Sequence, residues 1–267
     1  MVDDMDIQPV YGMPALRADE YLIIGDLHIG VESHLRSKGF HLVSHTNDLF
    51  DSIIDVAGTT ASKLIVLGDV KDSVPGSSKQ EYKEIPIFFE RLLEMFDTVD
   101  VVRGNHDTNL EEFLPGHVRI RPASGMKANN VGFVHGHTWP SKEVMSSETL
   151  IMAHDHPTVM FRDGVGRQAT EPCWVKGRFN SSPSEKYDVL PKEFIIMPAF
   201  NKMLGGSPIN IFDEPLLGPI MGGDLLDLDN SMIYLLDGLC LGKRSDLMID
   251  GGNRRKRNNA AKSFIRK

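Results

Sequence analysis

Five short apolar runs within the first 156 residues each stop at a cluster of aspartate, asparagine and histidine, and this pattern constrains the fold more than any other. Ile23-Ile24 runs into Gly25-Asp26-Leu27-His28, and Val66-Leu67 into Gly68-Asp69-Val70-Lys71-Asp72. Val101-Val102 leads to Arg103-Gly104-Asn105-His106-Asp107, Phe133-Val134 to His135-Gly136-His137, and Ile151-Met152 to Ala153-His154-Asp155-His156. Short β-branched runs of this kind read as buried strands. In open α/β sheets, ligands gather at the carboxyl ends of strands, so the five clusters are expected to converge in space. Six of the ten histidines fall inside them. His34, His41, His45 and His117 do not, and read as surface or helix residues.

The segments between the runs set the fold class. Residues 44–56 carry Leu49, Ile53, Ile54 and Val56 near helical spacing. Residues 85–95 do the same with Ile85, Phe88, Phe89, Leu92 and Leu93, and Pro86 suits a first helical turn. Beyond residue 130 the pattern turns strand-like at 131–134, 149–152, 158–161, 173–175, 193–197, 209–212 and 232–236. The first half is therefore βαβ-like and the second β-rich, with no internal repeat. Residues 73–78 and 178–191 read as loops.

Charge divides the chain. The whole carries −8, yet Arg254, Arg255, Lys256, Arg257, Lys262, Arg266 and Lys267 crowd the end with no acidic residue among them; setting those seven aside leaves −15 for residues 1–253. Gly251-Gly252-Asn253 looks like a hinge. One domain over residues 1–250 and a basic, flexible tail over 251–267 is the simplest division. The tail is either a frayed terminus or an electrostatic arm for a polyanion. The overall acidity excludes a globally basic nucleic-acid binder. Two cysteines are too few for a disulfide framework and are expected reduced. The acidic N-terminus lacks an apolar segment after it, and no run approaches the roughly 20 apolar residues of a membrane span. A soluble, cytoplasmic protein without a membrane partner is expected.

The donor types select the chemistry. Mixed carboxylate, carboxamide and imidazole ligands suit Mn²⁺, Fe²⁺, Co²⁺, Ni²⁺ or Zn²⁺ better than Ca²⁺ or Mg²⁺. The clusters contain no cysteine, which argues against a closed structural zinc site. Two ions about 3.5–4 Å apart need a bridging carboxylate and leave a bridging water or hydroxide between them. Asp69, after a tight glycine turn, can offer one oxygen to each ion.

In this order the motifs resemble those of the calcineurin-like metallophosphoesterase superfamily: D-x-H at Asp26/His28, G-D-x-x-D at Gly68-Asp69…Asp72, G-N-H-[DE] at Gly104–Asp107, a lone H at His135, and G-H-x-H at His154/His156. Ala153 replaces the glycine of the last motif, a change of one methyl that implies a small backbone adjustment. The resemblance implies an α/β fold, a four-layer α-β-β-α sandwich of two mixed sheets flanked by helices. Within the superfamily the chain is similar to ICC-like phosphoesterases. It is thereby similar to ligase-associated DNA-damage-response endonucleases and, distantly, to SbcD-type repair nucleases. That likeness rests on Gly68-Asp69-Val70-Lys71, on Pro198-Ala199-Phe200-Asn201…Gly205-Gly206 and on the modest length.

The resemblance also implies roles. Asp26, His28, Asp69 and His156 would hold one divalent ion, manganese by preference, and Asp69, Asn105, His135 and His154 the other. His106 would face the leaving group, and Asp107 would orient His106 through its other ring nitrogen. His135 is favoured over His137 as ligand, Asp72 is expected to support a ligand, and Asp155 to cap a turn. The implied activity is hydrolysis of phosphodiester bonds by a metal-bridging hydroxide, in single-stranded or duplex nucleic acid reached through the basic tail. The alternatives are hydrolysis of nucleotides or other small phosphoesters, and a non-catalytic metal-stabilised binding module. The last predicts a lost ligand or catalytic residue, and none is lost.

Overall fold

In a computed structural model, residues 5–180, 185–212 and 216–250 are described; the basic tail lies outside them. The N-terminal strands β1 (Ile7–Pro9), β2 (Leu16–Ala18) and β3 (Tyr21–Ile24) form an antiparallel meander. After α1 (Val31–Ser37) and α2 (Thr46–Ala57) come β4 (Lys63–Leu67), α3 (Lys79–Met95), β5 (Thr98–Val102) and β6 (Arg119–Arg121). Strands β3 to β6 run parallel, completing a six-stranded mixed sheet in sequence order.

The second sheet begins with β7 (Met126–Ala128) and β8 (Val131–Val134), then passes α4 (Lys142–Met145) to β9 (Thr149–Met152), β10 (Pro157–Arg162), β11 (Gln168–Arg178) and β12 (Glu193–Ile196). It continues through β13 (Ser207–Pro208) and, after α5 (Gly218–Met221), β14 (Met232–Leu235) and β15 (Cys240–Lys243). Its spatial order is β13-β10-β11-β12-β9-β8-β7, with β14 on β11 and β15 on β14.

The strand alternation sorts the apolar side chains into three cores. Leu22, Ile24, Leu64, Val66, Val99 and Val101 face Ile53, Ile85, Phe88 and Phe89 of α2 and α3. Ile23, Ile65, Leu67 and Val102 turn the other way, against Val131, Phe133, Ile151 and Ile195 of the second sheet. The opposite face of that sheet packs Leu150, Met152, Phe194 and Ile196 with Val144, Met145 and Ile220 of α4 and α5. This is the expected four-layer sandwich, and it explains why the parallel strands read as continuous apolar runs rather than as alternations.

Two sequence expectations need correction. Pro86 lies inside α3, not in its first turn, because the helix starts at Lys79: Ser78 accepts from the Glu81 N–H and the Glu81 carboxylate accepts from the Ser78 N–H. That S-x-x-E capping box was the legible start signal. Residues 209–212 form no strand either; β13 occupies the preceding two residues, and Ile211 makes only an isolated bridge to Ile249. The buried Asn210 side chain takes the place of a ladder, accepting from Met160 N–H at 2.8 Å and donating to Met160 O at 2.9 Å. Cys173 and Cys240 are both unpaired, as expected. No helix among the described residues is long and apolar enough to cross a membrane.

Candidate metal centre

The loops following β3, β4, β5, β8 and β9 meet at one end of the two sheets. Backbone hydrogen bonds continue past the strands and hold these loops together: Asp26 N–H to Gly68 O at 3.1 Å, His28 N–H to Asp69 O at 2.8 Å, and Ala153 N–H to His135 O at 2.9 Å. Five of the seven expected ligands, Asp26, His28, Asp69, His154 and His156, have φ between 41° and 75°, a region non-glycine residues seldom enter. Such residues cost of order 1–3 kcal/mol each and cluster where geometry serves function. The residue types announced this strain only weakly.

The close approach also limits neighbouring residues. A Cβ on Gly104 would lie 2.2 Å from Asp69 Oδ1, so a side chain there would displace the carboxylate. A Cβ on Gly25 would lie 3.0 Å from the Ala153 methyl, so the bare Gly25 makes room for the alanine that departs from the family motif.

Two groups of donor atoms result. Asp26, His28 and His156 form one, and Asp69, His135 and His154 the other; within each, the potential ligand atoms lie within 4.8 Å of one another. Asp69 Oδ2 stands between the groups, 3.3 Å from His28 Nε2 and 3.4 Å from His135 Nε2. Asn105 Oδ1 is 3.1 Å from His135 Nε2, and His154 Nδ1 is 3.1 Å from the same nitrogen.

These atoms fit divalent cations. Asp26 Oδ1, His28 Nε2 and His156 Nε2 are buried without a hydrogen-bond partner. Their short contacts, such as His156 Nε2 to Asp26 Oδ1 at 3.3 Å, lack hydrogen-bond geometry, which leaves these clustered atoms available to a cation. The opposite ring nitrogens are held. His135 Nδ1 donates to Leu67 O at 2.8 Å, His28 Nδ1 to Asp72 Oδ1 at 3.1 Å, and His156 Nδ1 to Gly205 O at 3.3 Å. Each bond leaves the Nε2 lone pair free for an ion, the usual arrangement around ligating histidines. Asp72 thus reaches the centre through His28. A third set of donors, His28, Asp72 and His106, also meets there.

Electrostatics follows the same geometry. Burial alone would raise the Asp69 carboxyl, but pairing with His135 and His28 holds it well below the usual carboxylate range. Burial disfavours the charged form of His28 and His135, and the facing carboxylates override it, lifting them to about 10 and about 9. Burial, with His135 adding to it, brings His154 down to about 4. Imidazole protons thus supply, in the metal-free chain, the positive charge that cations would bring.

Other site residues depart from expectation. His106 Nδ1 donates not to Asp107 but to the backbone carbonyl of Asp72, at 2.6 Å. Asp107, fully buried, instead accepts from the N–H groups of Val70 and Gly104, both at 2.8 Å, and ties the second and third motif loops together. Asp155 caps no local turn; it accepts from Leu217 N–H at 2.8 Å, anchoring the entry to α5, and burial pushes it up to about 6. His137 stacks obliquely 5.2 Å from His135, with its Nδ1 buried and unpartnered, and belongs to neither donor group.

Two contributors were missed in the sequence. Lys71 is completely buried, its Nζ donating to Ser73 O at 2.6 Å and Gly76 O at 2.8 Å. Glu81 accepts from Asp72 N–H at 2.9 Å and Ser73 N–H at 2.7 Å. Together they fix the loop whose Asp72 carbonyl orients His106. The capping box could have pointed to Glu81; Lys71 lay within the second motif, but its residue type did not announce its burial.

The calcineurin-like phosphoesterase family model matches residues 20–194. No curated protein matches the chain. Among solved structures, the nuclease MPE of Pseudomonas putida is similar at 17% identity with a TM-score of 0.50, the match covering 86% of this chain and 96% of that one. The E. coli phosphoesterase Yfce matches at 15% identity and a TM-score of 0.35, over 84% and 97% of the two chains.

Proposed function

The chain belongs to the calcineurin-like phosphoesterases, and from that premise we propose that it hydrolyses phosphodiester bonds of nucleic acid with two divalent cations, manganese by preference. The observation carrying this reading is Asp69 Oδ2, 3.3 Å and 3.4 Å from histidine nitrogens of the two donor groups, where one carboxylate can serve both ions. In this reading Asp26, His28 and His156 hold one ion with Asp69, and Asn105, His135 and His154 hold the other with it. The mixture of oxygen and imidazole donors suits Mn²⁺, Fe²⁺, Co²⁺, Ni²⁺ and Zn²⁺ alike, and the preference for Mn²⁺ draws on the family likeness. When bound, such a pair supplies Lewis acidity toward a phosphoryl oxygen and a water acidic enough to ionise near neutral pH.

The chain's own groups do the rest. Asp69 Oδ1 accepts from the His106 N–H at 2.9 Å, which ties the position of His106 to the bridging carboxylate. The Asp72 carbonyl holds His106 Nδ1–H, so Nε2 is the nitrogen left to meet the departing oxygen and to donate a proton or a charge-stabilising hydrogen bond. His106 is about a quarter exposed, at the rim of a buried floor, where a substrate oxygen can reach it. Nucleic acid as substrate draws on the motif likeness to repair endonucleases, on the basic tail, and on a protein of like fold being a nuclease.

The test is one purified sample supplied in turn with Mn²⁺, Ni²⁺, Co²⁺, Zn²⁺ and Mg²⁺, assayed on single-stranded DNA, duplex DNA, RNA, cyclic nucleotides and bis-p-nitrophenyl phosphate. Cleavage of a nucleic acid, greatest with Mn²⁺, is expected. Hydrolysis of bis-p-nitrophenyl phosphate without any nucleic-acid cleavage would move the assignment to small phosphoesters.

A further inference from the structure

Beside His156 lies a cleft of about 410 Å³ with an unusual lining. Its walls are mainly proline, glycine and other small residues, and among the described residues no carboxylate lines it; Lys202, exposed at its edge, is its one fixed charge. In a chain whose residues 1–253 carry −15, an acid-free wall next to the metal centre is a local reversal of charge.

Gly205 and Gly206, adjacent in this wall, are bare for different reasons. A Cβ on Gly206 would meet Thr158 Cγ2 at 2.2 Å and His156 O at 2.4 Å, so packing demands glycine. A Cβ on Gly205 would find nothing within 4 Å, and its φ is not left-handed. The protein's own packing does not require Gly205, and its bareness keeps the cleft open alongside the ligand His156.

The cleft does not end there. Leu236 is shared with a second cavity of about 340 Å³ near β1 and β14, lined by Tyr11, Trp174, Tyr234 and Lys176 among others. Tyr11 is 76% exposed, with its hydroxyl end over Gly238, where a Cβ would come within 2.4 Å of Oη. A positive edge and an exposed aromatic ring, in adjoining cavities of which one borders the proposed phosphoester-cleaving centre, are the features that hold an unpaired strand through its phosphates and bases. A cleft of this size takes an unpaired segment rather than a duplex.

Resting on the phosphodiesterase reading above, we propose that the cleft from His156 past Gly205 and Lys202 to Tyr11 is a binding track for a single strand of nucleic acid, with a flanking phosphate on Lys202 and a base on the Tyr11 ring. Both side chains are exposed, so their replacement does not threaten the fold.

The experiment measures binding rather than turnover. Metal-loaded, full-length protein is titrated into a fluorescein-labelled, phosphorothioate-linked oligothymidylate across a range of salt, and anisotropy gives the affinity. Lys202→Glu should weaken binding about tenfold at low salt and reduce the slope of log affinity against log salt by about 0.7, the loss of one phosphate contact on a single strand. Tyr11→Ala should weaken it about tenfold with the slope unchanged, as stacking requires. Lys127→Glu, the same charge change on β7 at the opposite edge of the second sheet, should do neither. Equal weakening by Lys202→Glu and Lys127→Glu, no effect of either track variant, or tighter binding of duplex than of single strand would each overturn the track. Hydrolysis of bis-p-nitrophenyl phosphate by the same sample judges the phosphodiesterase reading separately. Its absence would sink that reading, whereas activity with no strand bound would sink only the track.

Discussion

Asp26, His28 and His156 on one side of Asp69, and Asn105, His135 and His154 on the other, are constructed differently. In the second group the contacts are largely met: His135 is fully buried, with Nδ1 on the Leu67 carbonyl and Nε2 among Asn105, Asp69 and His154. In the first, all three residues have left-handed backbones, each keeps a buried atom without a partner, and His156 opens onto the cleft. The second group has its polar contacts largely made by the protein itself, with His135 as its buried member. The first group retains unmet polar atoms, a cost that a cation would offset, and left-handed backbone at every member where the second has it at His154 alone. The contrast assigns rigidity to one half of the centre and ligand-dependence to the other, with Asp69 joining them.

The largest effect tests the joint. Asp69→Ala removes the atom common to both groups, and activity on any phosphoester should fall to background. Next, His106→Gln leaves both groups intact, so turnover should drop about 10²–10⁴-fold while metal content is unchanged. Equal metal loss in the two variants would erase the distinction between holding ions and acting on substrate. Asp72→Ala touches only the first group, by freeing His28 Nδ1. It should weaken one of two metal-binding steps by about 10–100-fold and spare the other. Matching losses in both steps, measured by calorimetry, would show the halves to be equivalent.

Acidity gives a smaller effect with a definite sign. His28 and His135 are raised to about 10 and about 9 in the metal-free chain, so they contribute stability that is fully present below about pH 6.5 and lost as pH climbs toward those values. Cations compete with those protons, so metal uptake should release protons at neutral pH and tighten as pH rises. Uptake without proton release, followed with an indicator dye, would contradict it. The smallest effect lies far from the centre: burial pushes the Cys173 thiol up to about 12, while Cys240 is exposed. One thiol per native chain should react with a maleimide, and two after denaturation.

The centre was legible because its residues sit at strand ends, where order along the chain becomes proximity in space. The apolar runs at 131–134 and 149–152 returned as β8 and β9 with the same bounds, and those ending at Ile24, Leu67 and Val102 as β3, β4 and β5. The less legible features arise from contacts between distant segments. Asp107 beside His106 suggested a pair, but the carboxylate turns to the backbone N–H groups of Gly104 and of Val70, 37 residues away, and a carbonyl from another loop takes its place. Residues 209–212 read as a strand because Ile209, Ile211 and Phe212 are apolar, but the Asn210 side chain bonds Met160 where a ladder would. Left-handed φ at five aspartates and histidines has only a weak compositional marker, since these types enter that region more often than other non-glycine residues but far less often than glycine.

Metal stoichiometry tests the central claim most directly. Wild-type protein and Asp69→Ala, each loaded with excess Mn²⁺, freed of unbound ion and weighed by elemental analysis, should hold two ions per chain and none that survives desalting. One ion retained by Asp69→Ala at wild-type affinity would mean that the two donor groups are independent sites, and the shared-carboxylate centre would be contradicted.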